Sequence, residues 1–144
     1  MNRVLTPEYP LCFACGRKNP IGLALRFTCE GGVARASFLP RDEHQGYPGM
    51  LHGGLVCTLL DEAMAYAVHA LGCEGYTARL EVRFRAPVPL HRSLSVEARA
   101  GRRKGRMVEV TARLLGAEGE ELATATGRYI TRARDRSGAP SERE

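Results

Sequence analysis

The chain has 144 residues, 44% of them hydrophobic, enough for one domain with its own core and no linker or second domain. Five cysteines at irregular spacing argue against a disulfide framework, Met1 to Pro7 lacks an apolar signal region, and the longest charge-free run, His44 to Leu60, is broken by Pro48 and several glycines. The expected protein is therefore soluble, without a membrane span and cytoplasmic, and its 21 Lys and Arg against 16 Asp and Glu suit an anionic partner.

In chain order, Leu23, Leu25, Phe27 and Cys29 alternate with Ala24, Arg26 and Thr28. Glu30-Gly31-Gly32 then turns the chain into Val33 to Leu39, where alternation resumes, and the pattern predicts a hairpin. Arg41 to Leu51 is a Gly- and Pro-containing loop that delivers the chain to a helix over roughly His52 to Leu71. Val56, Leu59, Leu60, Ala63, Ala67, Ala70 and Leu71 fall on one face of it at helical spacing. Gly72 to Gly75 ends that helix. Ala78, Leu80, Val82, Phe84 and Ala86 then alternate with polar residues in a long strand, which Pro87 and Pro89 break. Three more strands follow, around Leu94 to Ala100, Val108 to Leu114, and Leu122 to Thr131.

Residues 1–131 are thus expected to form the single domain, with an N-terminal extension, and 132–144 a mobile tail with nothing to anchor a core. A single substantial helix, apolar over most of its surface, needs a sheet that curls around it. The fold class predicted is α+β, a curved antiparallel sheet wrapped around one long central helix, with one side of the helix left for a partner.

The helix entry carries the chemistry. His52-Gly53-Gly54 leaves first-turn N–H groups uncovered, where a ligand oxygen can approach donors that the helix itself cannot satisfy. On a second side, Gly54, Cys57, Asp61, Ala65 and Val68 make a stripe of small or apolar residues with one acid. A carboxylate placed so suits general-base or nucleophilic work, whereas Glu62 points with Thr58 and His69 to a more polar stripe. Asp61 lies seven residues beyond Gly54, roughly 10 Å along the axis at ~1.5 Å per residue, too far for both to touch one small group. Two helices antiparallel across a twofold axis would bring the glycine end of each to the Asp of the other.

Bland readings stand beside these. His52 shapes the turn by bonding backbone or serves as a base. Cys57 is a small core residue or a thiol nucleophile, and Asp61 is catalytic or a buried acid with a structural partner. Arg102, Arg103, Lys104 and Arg106 crowd one turn, either as a solvated hairpin or as a phosphate site. Nucleic acid is not an expected partner, because no aromatic platform accompanies the charge. Cys12 and Cys15 have metal-ligand spacing, but no second CxxC or Cys-His pair completes four ligands, so no metal or cofactor is expected.

The His52-Gly53-Gly54 turn, the acid at Asp61 and the strand order resemble the hotdog-fold acyl-CoA thioesterases of the phenylacetyl-CoA thioesterase type, over roughly residues 10 to 131. Cys12-Phe13-Ala14-Cys15-Gly16 with Asn19-Pro20-Ile21-Gly22-Leu23 is similar to the opening of one subgroup. The resemblance implies a thioester hydrolase for small aromatic or medium-chain acyl-CoA, working as a homodimer, with a dimer of dimers left open. Gly53 N–H would polarise the carbonyl, Gly54 would leave room, and Asp61 from the facing subunit would be base or nucleophile. The resemblance also implies a water-positioning hydroxyl at Thr77 and coenzyme A phosphates at Arg102 to Arg106. Some relatives carry Asn six residues before the His, where this chain has Gly46, beside Gln45. Tyr47, Met50, Met64 and Tyr66 are the expected acyl pocket. The alternative is a hotdog protein that binds or senses acyl-CoA without hydrolysis.

Overall fold

The structure, a computed structural model, describes residues 3–5 and 9–132. Its elements are β1 (Arg3–Leu5), β2 (Phe27–Glu30), β3 (Val33–Phe38), a 3-10 turn (Asp42–His44), α1 (Gly53–His69), β4 (Gly75–Phe84), β5 (Leu94–Lys104), β6 (Met107–Leu115) and β7 (Glu121–Thr131). The six expected strands and the helix are present, though β2 begins only at Phe27. The alternating residues before it, Leu23 and Leu25, instead donate their N–H groups to Phe13 O and Ala14 O, both at 2.9 Å. That tie holds the N-terminal segment against the domain.

All seven strands form one antiparallel sheet in the order β1-β2-β3-β5-β6-β7-β4. Helix α1 lies mainly across β5 and β6, near the middle of the sheet. Val56, Leu59, Leu60, Ala63, Met64 and Ala67 of α1 are buried, as are Val96, Ala98, Val108, Val110 and Leu114 on the inward positions of β5 and β6. This is the period-3.6 face meeting the period-2 faces. Burying a large aliphatic side chain of this kind contributes about 2 kcal/mol.

Two helix positions differ from expectation: Val68, placed beside Asp61 by spacing, is in the core, and Leu71, placed in the core, is exposed. The helix has ended by then, since its C-cap is Ala70.

Strand β4 is an edge of the sheet, bonded only to β7. Its apolar side is incompletely covered: Leu80 and Val82 are half-buried and Phe84 is 53% exposed. The adjacent stripe of α1, including Cys57, Asp61 and Ala65, is likewise only half-buried. Among the described residues no helix is long and apolar enough to cross a membrane. From residue 133 the expected tail lies outside the described residues. Arg132 itself is held, its N–H 2.9 Å from Glu74 O and its guanidinium 3.5 Å from the Glu74 carboxylate.

Candidate active site

At the entry of α1, His52 is the N-cap, and its ring folds back so that Nδ1 accepts a 2.9 Å hydrogen bond from Gly54 N–H. An accepting nitrogen carries no proton, so the neutral ring keeps its proton on Nε2. The geometry matches the turn-shaping reading of His52. It also gives Gly54 a different duty from the one expected. A Cβ on Gly54 would sit 3.0 Å from His52 Nδ1 and 3.1 Å from Cε1, so the bare backbone makes room for the histidine cap. Gly53 is the glycine beside open space: its Cβ position meets only the Phe84 ring, at 3.7 Å. With Gly54 N–H taken by the cap, Gly53 N–H is the first-turn donor left for a ligand.

That donor borders a cleft of about 780 Å³, lined among others by Tyr47, Met50, His52, Val56, Phe84 and Arg85. Of the four residues expected to line an acyl pocket, Tyr47 and Met50 line this cleft. Met64 and Tyr66 do not: Met64 is fully buried, and Tyr66 stacks on Phe27 with ring centroids 4.2 Å apart. Gly46 lies beneath the histidine, a Cβ there falling 3.0 Å from His52 Cα. Gln45 is occupied with its own loop, accepting from Gly49 N–H at 3.0 Å.

Eight residues along the same helix, Asp61 stands in a different environment. Thr77 Oγ1 donates to Asp61 Oδ1 at 2.7 Å, and Tyr129 OH donates to the same oxygen at 2.6 Å. Thr77 and Tyr129 are cross-strand partners on β4 and β7, directly before a register shift between Thr77 and Arg79. A bulge there re-aims side chains locally, and such bulges recur beside sites. Tyr129 is fully buried; burial first, then the neighbouring Asp61 carboxylate, pushes its phenol up from the usual range, so it remains a neutral donor. Of the three, Asp61 and Thr77 are among the residues expected from sequence and Tyr129 is not. Its only sequence signal is an inward place in the alternation of β7, which says nothing of where its hydroxyl goes. Cys57, one turn before Asp61, has its thiol pushed up by burial and then by Asp61, which suits a neutral thiol and not a nucleophile.

Arg102, Arg103, Lys104 and Arg106 are exposed around the β5–β6 turn. Arg106 is partly engaged, its Nε donating to Thr131 O at 2.9 Å. The turn is far from Gly53 of the same chain. Lys104 pairs with Met107, Met107 with Ile130 and Ile130 with Tyr76, whereas Gly53 adjoins Phe84, eight residues further along β4. At ~3.4 Å per residue that is roughly 27 Å. The chain thus brings Asp61, Thr77 and Tyr129 together but leaves Gly53 and the basic turn apart.

Glu62 has a contact that helical spacing does not show. It shares a cleft with His69, as the polar stripe implies, but the N-terminal segment covers it: Cys12 Sγ donates to its Oε1 at 3.7 Å. Burial pushes its carboxyl up, against hydrogen bonds from Cys15 and Cys12 that act in the opposite sense.

A curved antiparallel sheet around one helix, with a glycine-opened helix entry and an acid further along, is the hotdog arrangement. The model of the thioesterase superfamily matches residues 48–123, just over half the chain, and the chain belongs to that superfamily. A curated relative is the acyl-coenzyme A thioesterase THEM4 of Bos taurus, 31% identical over 90 residues, 60% of this chain and 35% of that protein. The chain spans about a third of that relative's length. Among solved structures it is similar to the E. coli PaaI protein from the phenylacetic acid degradation operon, with a TM-score of 0.71 and 17% identity over 76% of this chain and 80% of that one. It is also similar to smu.793 of Streptococcus mutans UA159 bound to acetyl CoA, with a TM-score of 0.70 and 19% identity over 74% of this chain and 87% of that one.

Proposed function

We propose that this protein hydrolyses acyl-CoA thioesters as a homodimer, each site combining Gly53 of one subunit with Asp61 of the other. The observation that carries the reading is the division of the parts: an open carbonyl-sized donor at Gly53 and a hydroxyl-held carboxylate at Asp61, on one helix but out of reach of each other. The incompletely covered side of β4 and the half-buried stripe of α1 supply the surface across which a second copy would bring them together. The same antiparallel pairing would carry the distant basic turn of one subunit toward the Gly53 cleft of the other.

In that site Gly53 N–H polarises the thioester carbonyl and stabilises the oxyanion that develops on it. Thr77 and Tyr129 fill Asp61 Oδ1, which leaves Oδ2 to take a proton from water or to attack the carbonyl itself. Collapse of the tetrahedral species expels the coenzyme A thiolate, leaving the free acid when water is the nucleophile, or an Asp61 acyl anhydride that water then cleaves when the carboxylate attacks. The acyl group occupies the cleft of Tyr47, Met50, Val56 and Phe84, whose size and apolar lining suit a small aromatic or medium-length chain. Arg102, Arg103 and Lys104 meet the nucleotide phosphates, as does whatever of the Arg106 guanidinium Thr131 leaves free.

The acetyl CoA bound to smu.793 and the acyl-CoA thioesterase activity in the name of THEM4 support this substrate class. The test is free-thiol release across aryl, short, medium and long acyl-CoAs. Binding of all of them with release from none would instead favour an acyl-CoA binding protein. Subunit sharing is tested by mixing Asp61→Asn with Gly53→Val subunits: a verified heterodimer should regain one working site, and no recovery would count against the composite arrangement.

A further inference from the structure

Residues 9–26 form no helix or strand, yet their shape is fixed by their own hydrogen bonds. Gly16 N–H donates to Cys12 O at 2.8 Å, Lys18 N–H to Pro10 O at 2.9 Å, and Asn19 Nδ2 to Leu11 O at 3.1 Å. Gly16 is required by this packing, because a Cβ there would lie 2.5 Å from both Cys12 N and Pro10 O. The tight turn holds Cys12 and Cys15 on one side, against Glu62 of α1. The two sulfurs and a Glu62 carboxylate oxygen all lie within 4.8 Å of one another.

We infer that Cys12, Cys15 and Glu62 bind a zinc ion that clips the N-terminal segment to α1 at Glu62, the residue that follows Asp61. The donor set selects the metal: two thiolates exclude magnesium and calcium, and a mixed sulfur and oxygen set suits zinc. The spacing agrees. Bonds of about 2.3 Å to sulfur and about 2.1 Å to oxygen in a tetrahedron place those atoms roughly 3.6 Å apart, and Cys12 Sγ lies 3.7 Å from Glu62 Oε1. A cleft of about 200 Å³ opens beside the three side chains and leaves the fourth position to water. Sequence spacing alone missed the set because Glu62 lies some fifty residues after the cysteines. This site stands independently of the thioesterase reading, and either can fail without the other.

The test uses the full chain, kept reduced with a phosphine, stripped by chelation and titrated with Zn²⁺ against a chromophoric chelator, with Co²⁺ as a spectroscopic substitute. One Zn²⁺ per chain should bind with Kd of about 1 µM or tighter, Tm should rise on loading, and Co²⁺ should give the sulfur-to-cobalt charge-transfer band that only thiolate ligation produces. Cys12→Ser with Cys15→Ser should abolish the band. Glu62→Gln should weaken binding by about tenfold or more while keeping it, and Cys29→Ser on β2 should change nothing. Absence of Zn²⁺ binding to the reduced parent at about 10 µM, or undiminished binding by the double cysteine variant, would overturn the site. Should the double variant fail to fold, the Co²⁺ spectrum of the parent decides, because a parent without the band has no thiolate ligand.

Discussion

The two ends of the catalytic proposal differ in what surrounds them, although one helix carries both. At Gly53 side chains are held away: the histidine cap bends onto Gly54, Gly46 gives it room, and the first-turn donor borders a wide cleft. At Asp61 two hydroxyls converge on one carboxylate oxygen at 2.7 and 2.6 Å, one of them from a fully buried tyrosine. The first is a backbone site made by leaving space, and the second a side-chain site made by filling it. Neither has the other's chemistry within reach, which is why the proposed mechanism requires a second chain.

The sharpest way to break the comparison is Asp61→Asn. An amide keeps the shape and loses the charge that activates water, so kcat should fall on the order of a thousandfold. Circular dichroism and oligomeric state should match the parent, and near-parent turnover would remove Asp61 from the chemistry. Glu62→Gln, adjacent but turned toward the cysteines, should leave turnover largely intact. Gly53→Val comes next. Gly53 is not among the residues with positive φ, and its Cβ would meet only the Phe84 ring, so the fold should survive while the branched side chain crowds the carbonyl. Loss of one such donor is worth about 3 kcal/mol, which is on the order of a hundredfold in kcat. A folded variant with unchanged turnover would assign the oxyanion to another group.

Neutralising Arg102, Arg103 and Lys104 should raise KM for acyl-CoA by on the order of tenfold, with little change for a short thioester that lacks the nucleotide, because phosphate contacts are alike in ground and transition states. Added salt should imitate the variant. Equal loss on both substrates would mean that the turn is structural. Arg106 is best changed separately, since its bond to Thr131 O ties the turn to β7. A smaller effect is expected of Tyr129→Phe, which keeps the ring in the core and deletes a donor to Asp61. Stability should drop by about 1 kcal/mol and kcat by several-fold. An unchanged kcat would make Tyr129 a core residue only.

Much of this was legible in the sequence, because period and punctuation carry it. The alternation of β3 to β7 and the helical spacing of α1 follow from burying one face of each element, and the glycines and acid of α1 stand out as exceptions within it. What the sequence hid depends on contacts between distant segments. Leu23 and Leu25 alternate like a strand but bond to Phe13 and Ala14. Glu62 reads as part of a polar stripe, with nothing to show that the cysteine turn covers it, and Tyr129 looks like any inward aromatic, with nothing to show that its hydroxyl meets Asp61. Leu71 leaves the expected face because α1 ends at its Ala70 C-cap, and Val68 is buried where Gly75 of β4 passes beside it, neither of which spacing along one helix records.

A last comparison sets Asp61 beside Glu97, a carboxylate held by charges. Glu97 lies on β5 directly between Arg35 on β3 and Arg113 on β6, its register partners. Arg35 Nε is 2.8 Å from one of its oxygens and Arg113 Nε bonds the other. Among the described residues no cation makes such a pair with Asp61. Burial pushes the Glu97 carboxyl up, and the hydrogen bonds and charges of the two arginines more than reverse it, so it titrates below its ordinary value of 4.5. A carboxyl depressed on folding adds stability above its unfolded value and loses it as pH falls through the folded one. Glu97→Gln should therefore cost about 1 kcal/mol at neutral pH, with both arginines half exposed and well screened. The gap to the parent should close as pH falls below 4.5, and kcat should not change at any pH. Thermal unfolding of the two proteins across that range checks the sign: a gap that widened in acid would mean that the arginines do not hold this carboxylate in the folded state, and a loss of turnover would mean that the sheet face around Glu97 is coupled to the site after all.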